Sequence, residues 1–270
     1  MRTLPLAAFL FVLVACGSEA PPASQGNDTP YTSDPGKTVV IGAGGQSVQT
    51  VPPGGCVTLP SGECVTPDKK CKADERTDVV VDSSGKVVAV VCYPASASPT
   101  PVDENGNVEL GKENKGVVAI DGLDDGDDIA GNVTSSGNNV TVYGQGADVS
   151  VIGGNVTAEG NNFSLRGVRV KGNVNISGGN NATLVLCVVE GDVNITGNNT
   201  VMASCNVLGK ITINGVNTVL VSNQVGGGIS VSEAKNTVCD GNVEWNDANS
   251  NKLVDPGESG APLTCGGKGK

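Results

Sequence analysis

The chain has 270 residues, 39 of them Gly, no His, 3% aromatic residues and a formal net charge of −11. The absence of His removes the usual base of triad chemistry. An excess of Asp and Glu (28) over Lys and Arg (17), without basic clusters, argues against a nucleic-acid partner. Abundant Gly, Asn, Val and Thr excludes a mainly helical chain and leaves strands and turns around a Val, Ile and Leu core.

Residues 1–15, MRTLPLAAFLFVLVA, carry one positive charge and an apolar run too short to cross a bilayer comfortably. They read as a secretory signal. The ending LVAC at Leu13–Cys16 is similar to the lipobox of bacterial lipoproteins. That resemblance implies cleavage before Cys16 and acylation of its amine and thiol by palmitate-like chains. Several chains on one residue anchor stably, because burial gains accumulate per methylene. The alternative is an ordinary signal with an incidental Cys. Gly17–Ser18, with no Asp after the Cys, implies the outer membrane or cell surface. The expected location is the bacterial cell envelope, with the membrane as a partner through the lipid.

Residues 16–37 join the lipidated Cys to a Pro-, Ser- and Gly-rich flexible tether. A small Cys-rich β module follows at 38–94: TVVIGAG reads as a strand, CVTLPSGECV as a hairpin, and DVVVDSSGKVVAVVCY as two strands about a Ser-Gly turn. Residues 95–114 read as a linker, 115–245 as a repeat domain, and 246–270 as an acidic loop and tail. Setting Cys16 aside leaves an even number of disulfide candidates for an oxidising compartment. Four are early (Cys56, Cys64, Cys71, Cys92) and four late (Cys187, Cys205, Cys239, Cys265). A module this short buries little apolar surface, so bridges within it make physical sense.

Repeat units open at Gly131, Gly154, Gly172, Gly191, Gly209 and Gly227, a period of about 18 residues that points to a solenoid. Apolar residues alternate inside each unit, as in Val193–Ile195 and Ile211–Ile213, which is strand periodicity. Asn and Gly between the strands tolerate the left-handed backbone of sharp corners. The expected fold is therefore all-β, a parallel β-helix preceded by the disulfide-bonded module. Six-residue steps from Val193 fall on Asn199 and Cys205, which breaks the left-handed hexapeptide rule and favours a right-handed helix. Three inward columns follow, beginning Val133–Val156–Val174, Val142–Leu165–Leu184 and Val170–Val189–Val207. The third fails at Glu244, where the helix should end. Six coils at about 4.8 Å each make a rod roughly 29 Å long.

The segment GNNVTVYGQGADVSVIGGNVT and its successors resemble an uncharacterised family of secreted, often lipidated β-helical repeat domains, domain of unknown function family 3060. Loop-poor coils of this length are also similar to bactofilins, which are polymerising β-helices. The likeness covers roughly residues 115–245. The first family implies an architecture without an established activity. Lipidation and the even Cys set depart from the cytoplasmic bactofilins, so filament formation is not carried over.

Four constellations are candidates for chemistry. DANSNKLVDPGE at 247–258 matches a calcium loop, with Asp247, Asn249 and Asn251 followed by the Leu253 carbonyl, Asp255 and Glu258. Lys252 stands where such loops place Gly, and a solvated acidic turn is the alternative. Cys239 and Cys265 bracket this loop and are expected to pin it. Cys187 and Cys205 occupy one position on successive coils, either bonded or stacked as buried thiols. Their column continues as Asn223 and Asn242, an Asn ladder that satisfies buried backbone. The outward residues Thr134, Thr157, Asn175, Asn194 and Thr212, with Thr196 beside them, form a polar face. It resembles ice-binding β-helices, against the alternative of a solvated sheet. The acidic run Asp121–Asp128 reads as a charged cap that blocks end-to-end strand pairing; without partners it makes an unconvincing general-acid pair for glycan chemistry, which is the alternative. The expected function is structural or binding at the envelope, non-enzymatic, with an envelope protein or glycan as partner. The alternatives are a carbohydrate-active enzyme and an ice- or surface-binding adhesin.

Overall fold

The computed structural model describes residues 37–265 apart from 43–44, 52–54, 60, 69–70, 95–99, 112–115, 121–127, 148–149, 233–234, 253 and 256. Cys16 with its signal and tether, the Leu253 carbonyl, and all of the 121–128 run except Asp128 lie outside these residues. Every regular element among the described residues is a strand.

The chain from Val108 to Trp245 winds into a parallel β-solenoid of about six coils with about 19 residues each. Three sheets form its faces. The first face stacks strands from Val108–Leu110 to Ile229–Val231, the second from Val117–Ala119 to Val238–Asp240, and the third from Val151–Ile152 to Val243–Trp245. All three expected columns are present in register: Val156 on Val174, Leu165 on Leu184, Val170 on Val189. They fill one continuous core of Val, Ile, Leu, Phe163 and Met202. Each strand is only two or three residues long, so the coil-on-coil ladder, repeated along the whole rod, supplies the cooperativity.

Corners are built from Asn. Asn139, Asn162, Asn181, Asn199, Asn217 and Asn236 all have φ between 53 and 62°, the left-handed region where a short amide side chain is tolerated. Each amide donates to the carbonyl oxygen of the Asn one coil earlier, at 2.8 Å for Asn162 to Asn139 and 3.0 Å for Asn181 to Asn162. A second ladder follows each opening Gly: the backbone N–H of Asn155, Asn173 and Asp192 donates to the Asn side chain of the preceding coil at 2.8 Å. The expected interior ladder is present as well. Asn223 is fully buried, accepts from the Cys205 N–H, and donates to the Met202 carbonyl and to Asn242.

The solenoid begins earlier than residue 115. Val108–Leu110, inside the stretch expected as a linker, pairs in parallel with Val133–Ser135. Asp103 closes a turn by accepting from the N–H groups of Asn105 and Asn107, and Asn107 then receives the Asn132 N–H. This first rung is 25 residues long and so escapes an 18-residue template. At the far end Glu244 stacks on Val225, and Ser259–Pro262 runs antiparallel along Val243–Trp245, covering the last edge of the third face.

The N-terminal module contains β1 (Lys37–Gly42), β2 (Gly45–Thr50), a β3–β4 hairpin (Val57–Thr58, Cys64–Val65), β5 (Glu75–Val81) and β6 (Val87–Pro94). Four of these make a sheet in the order β2-β1-β5-β6. Disulfides Cys56–Cys64 and Cys71–Cys92 staple it, with Cα atoms 5.4 Å apart in each. Strand alternation gives the sheet two apolar sides. Val40, Val79 and Val81 meet Val57 and Leu59 under the hairpin. Val39, Ile41, Val80, Val91 and Tyr93 instead lie on the outside of the solenoid, against Ala119, Tyr143, Val185, Ala203 and Val221. The module is therefore docked along the second face and shares a core with it.

Candidate functional site

The docking surface is centred on a charged cluster. Asp78, in the middle of β5, is fully buried and faces Arg166 of the second face, also buried. The Arg166 Nε donates to Asp78 Oδ2 at 2.7 Å, and Nη2 lies 3.4 Å from Oδ1. The Tyr93 hydroxyl donates to the same carboxylate at 3.3 Å, and the Arg166 guanidinium lies over the Tyr93 ring, 4.4 Å from its centroid. Burial pulls the Arg166 pKa down, but the Asp78 carboxylate outweighs it and the guanidinium ends above its ordinary value. Burial, followed by the Asp78 charge, raises the Tyr93 phenol well above its usual range. Burial also lowers Arg76 beside them. None of these residues stands out by motif. The signal lies in the pattern: the third residue of the second-face strands points outward yet reads Ala119, Tyr143, Arg166, Val185, Ala203, Val221, with Asp240 only on the last. A solvated column would be polar there.

Docking creates a groove of about 610 Å³ between β6 and the solenoid. One wall is the half-buried stretch Val87–Val90 of β6, with Lys86 at its end. The other is the outward column Thr141, Ser164, Thr183, Val201 and Val219, bordered by the exposed Asn corner ladder from Asn139 to Asn217. The chain carries 28 Asp and Glu, yet among the described residues no carboxylate lines this groove, and Lys86 is the only charged side chain there. In each ladder amide one N–H and the carbonyl oxygen serve neighbouring coils, and the second N–H points away from that bond.

The outward polar face exists as expected. Thr134, Thr157, Asn175, Asn194 and Thr212 stack in register on the first face. Two of its bonds run along the stack: the Asn194 amide donates to Asn175 at 3.0 Å, and the Thr196 hydroxyl to the Ile176 carbonyl at 3.3 Å.

The late cysteines divide. Cys239–Cys265 is a disulfide with Cα atoms 5.5 Å apart and pins the C-terminal loop as expected. Cys187 and Cys205 are free and fully buried, the second of the two arrangements that their spacing allowed, so these two disulfide candidates are not bonded. Each thiol turns to a backbone carbonyl two residues earlier, Cys187 to Val185 at 3.2 Å and Cys205 to Ala203 at 3.4 Å. Stacked parallel positions do not offer the torsion that a disulfide needs. Burial raises the Cys205 pKa well above that of an ordinary thiol. Cys71, Glu75 and Cys92 converge as three potential metal ligands, but two of them are the sulfurs of one disulfide.

In the C-terminal loop, the first half has the conformation that a calcium loop needs. Ser250 and Lys252 have φ of 59 and 63°, and the Lys252 N–H donates to Asp247 Oδ2 at 3.1 Å. Asp247 Oδ1 is buried without a hydrogen-bond partner. The Lys252 ammonium turns away to Glu190, which also pairs with Arg169 at 2.8 Å, so its charge is taken out of the loop. The second half is closed by its own bonds. Glu258 accepts from the N–H groups of Ala248 and Asp255, both at 3.0 Å, and from the Trp245 indole at 3.3 Å. The amides of Asn249 and Asn251 both donate to Asp255. Of the acidic run, Asp128 accepts the Val151 N–H at 2.7 Å and is thereby part of the third face.

Compared with known protein families, curated proteins and solved structures, the chain finds no match.

Proposed function

We propose that the chain is a lipid-anchored protein of the bacterial cell envelope whose solenoid and docked sheet together form a rigid, non-enzymatic binding module. The observation that carries this reading is the groove. It is a preformed cleft between two elements locked together by a buried ion pair, and it is lined by amides, hydroxyls and aliphatic groups. Such a lining suits recognition, because oriented donors on a stiff frame need little ordering on binding. Anchoring rests on the segment ending at Cys16. Fractionation tests it: the intact protein sediments with membranes and carries the mass of acyl chains on Cys16, whereas Cys16→Ser is released unmodified. Soluble wild-type protein of unmodified mass overturns the anchor. Incubation with envelope glycans leaves their reducing ends unchanged, and new ends would restore the enzyme reading.

A structural calcium in the 247–258 loop is a second reading, favoured by the buried, unpartnered Asp247 Oδ1. The side-chain oxygens of Asp247, Asn249 and Asn251 would hold it once the two amides turn over. Glu258 would join only by releasing Ala248 and Trp245, so affinity belongs near the weak extracellular range of about 10⁻⁴–10⁻³ M. Millimolar calcium then raises the melting temperature of the wild type but not of Asp247→Asn. No shift in either removes the ion.

A further inference from the structure

We infer that the groove between β6 and the Asn corner ladder binds a linear glycan of N-acetylated amino sugars; this rests on the envelope-binding role proposed above. Three properties of the groove point there together. The first is periodicity. The exposed amides of Asn139, Asn162, Asn181, Asn199 and Asn217 recur once per coil, about 4.8 Å apart. From Asn162 to Asn217 each already spends its carbonyl and one N–H on the ladder, which leaves a row of single N–H donors beside the groove. A β-linked chain, whose successive sugars are flipped, presents an acetamide to the same side on every second sugar and meets alternate rungs in step. A compact small molecule reaches one or two rungs only.

The second property is the opposite wall. Val87, Val88 and Ala89 on β6, with Val201 and Val219 on the solenoid, offer small, half-buried aliphatic surface beside the amides. An acetamido group fits this pairing, its methyl against Val and its carbonyl towards an Asn N–H. Among the described residues no aromatic ring lines the groove for stacking on a bare sugar face, so the acetamide is the group that can be read. The third is charge. In a chain of net charge −11, no carboxylate among the described residues lines this cleft, and Lys86 stands at its end. That permits a neutral chain and favours one with an occasional carboxylate. An extended peptide is the competing macromolecule, but its same-side groups recur about every 6.8 Å, out of step with rungs about 4.8 Å apart.

Full-length protein in detergent micelles is mixed with insoluble chitin, isolated peptidoglycan sacculi or cellulose, and the bound fraction is measured across glycan concentration. Binding to chitin, to sacculi or to both, with at least tenfold weaker binding to cellulose, is expected. Chitin and sacculi separate a plain acetamido polymer from one carrying carboxylates. Asn181→Gly with Asn199→Gly keeps the left-handed corners but removes two donors, and Thr183→Glu places a carboxylate in the groove. Each should weaken binding at least tenfold while the melting temperature stays within a few degrees. Equal retention on cellulose, unchanged binding by both variants, or capture of a Val- and Thr-rich strand peptide in place of chitohexaose overturns the glycan. Absence of glycan binding by a protein that still sediments with membranes removes the ligand and leaves the anchor. Loss of membrane association removes the anchored role whatever the glycan result.

Discussion

Asp78 and Arg166 meet 88 residues apart in sequence as a two-point ion pair from which water is excluded. One partner belongs to the small sheet and the other to the solenoid. Leaving either alone would strand a charge in an apolar interface. Asp78→Ala should therefore lower the unfolding free energy by about 3–5 kcal/mol, read from urea midpoints. Asp78→Leu combined with Arg166→Met should recover most of that loss, since a hydrophobic pair of similar volume removes the stranded charge. A cost under about 1 kcal/mol for Asp78→Ala would mean that the pair does not fasten the sheet.

Two buried groups set an alkaline limit. Tyr93 and Cys205 both have folded-state pKa values raised by burial. Below the unfolded pKa of each group, both states hold the proton and stability is unaffected. Above about pH 8.5 for the thiol and about pH 10 for the phenol, the unfolded state ionises first and stability falls as pH rises. Unfolding midpoints should decline through this window, and Cys205→Val with Tyr93→Phe should flatten the decline.

The thiols themselves are predicted to be silent. Alkylation of the native protein at neutral pH should leave the Cys187 and Cys205 peptides unmodified, and alkylation after denaturation should modify both. A peptide map containing a Cys187–Cys205 crosslink contradicts this.

Gly178 and Gly179 are neighbours with opposite tolerance. A methyl on Gly179 would overlap the Gly160 carbonyl of the coil beneath, whereas on Gly178 it meets nothing closer than the Glu159 carbonyl at 3.5 Å. Gly179→Ala should cost about 1–3 kcal/mol through forced displacement of the stack. Gly178→Ala should be neutral or stabilise by up to about 1 kcal/mol by restricting the unfolded chain. Similar effects at the two positions would refute the stacking geometry.

Asn223 supports the corner from inside. Asn223→Leu fills the same space but orphans the Cys205 N–H and the Met202 carbonyl. A loss of about 2–4 kcal/mol is expected from two buried groups left unpaired. Asn198→Ala, at a half-buried position whose side chain accepts a single bond from the Val216 N–H, should cost less, about 1 kcal/mol.

Much of the solenoid was legible because in a repeat the local pattern is the tertiary pattern. Val133, Val156 and Val174 face inward for the same reason on every coil, so the column can be read without knowing what lies across the core. The Asn223–Asn242 ladder followed by the same logic. The first coil escaped because its 25-residue step hides the period. The docking of the small sheet occurs once, so no repetition announces it. Its trace was the apolar outward column through Tyr143 and Val221, together with a lone Asp among the valines of β5. The groove is made by that docking, whereas the polar first face is plainer in sequence because it recurs on every coil. The fate of Cys187 and Cys205 depended on torsion, which spacing does not encode.

The docked sheet reaches from Tyr143, whose ring lies 5.6 Å from that of Tyr93, to Ser222 and Asp240, which bond Gly42 and Ser83. Ordinary repeat arrays fray from their ends, one unit at a time, because each unit touches only its neighbours. Here a splint lies across the coils, and the last coil cannot peel away without loosening the sheet that also grips the early ones. Melting of the ends is thereby linked to melting of the middle, and a rod assembled from nearly independent rungs is made to yield as one body.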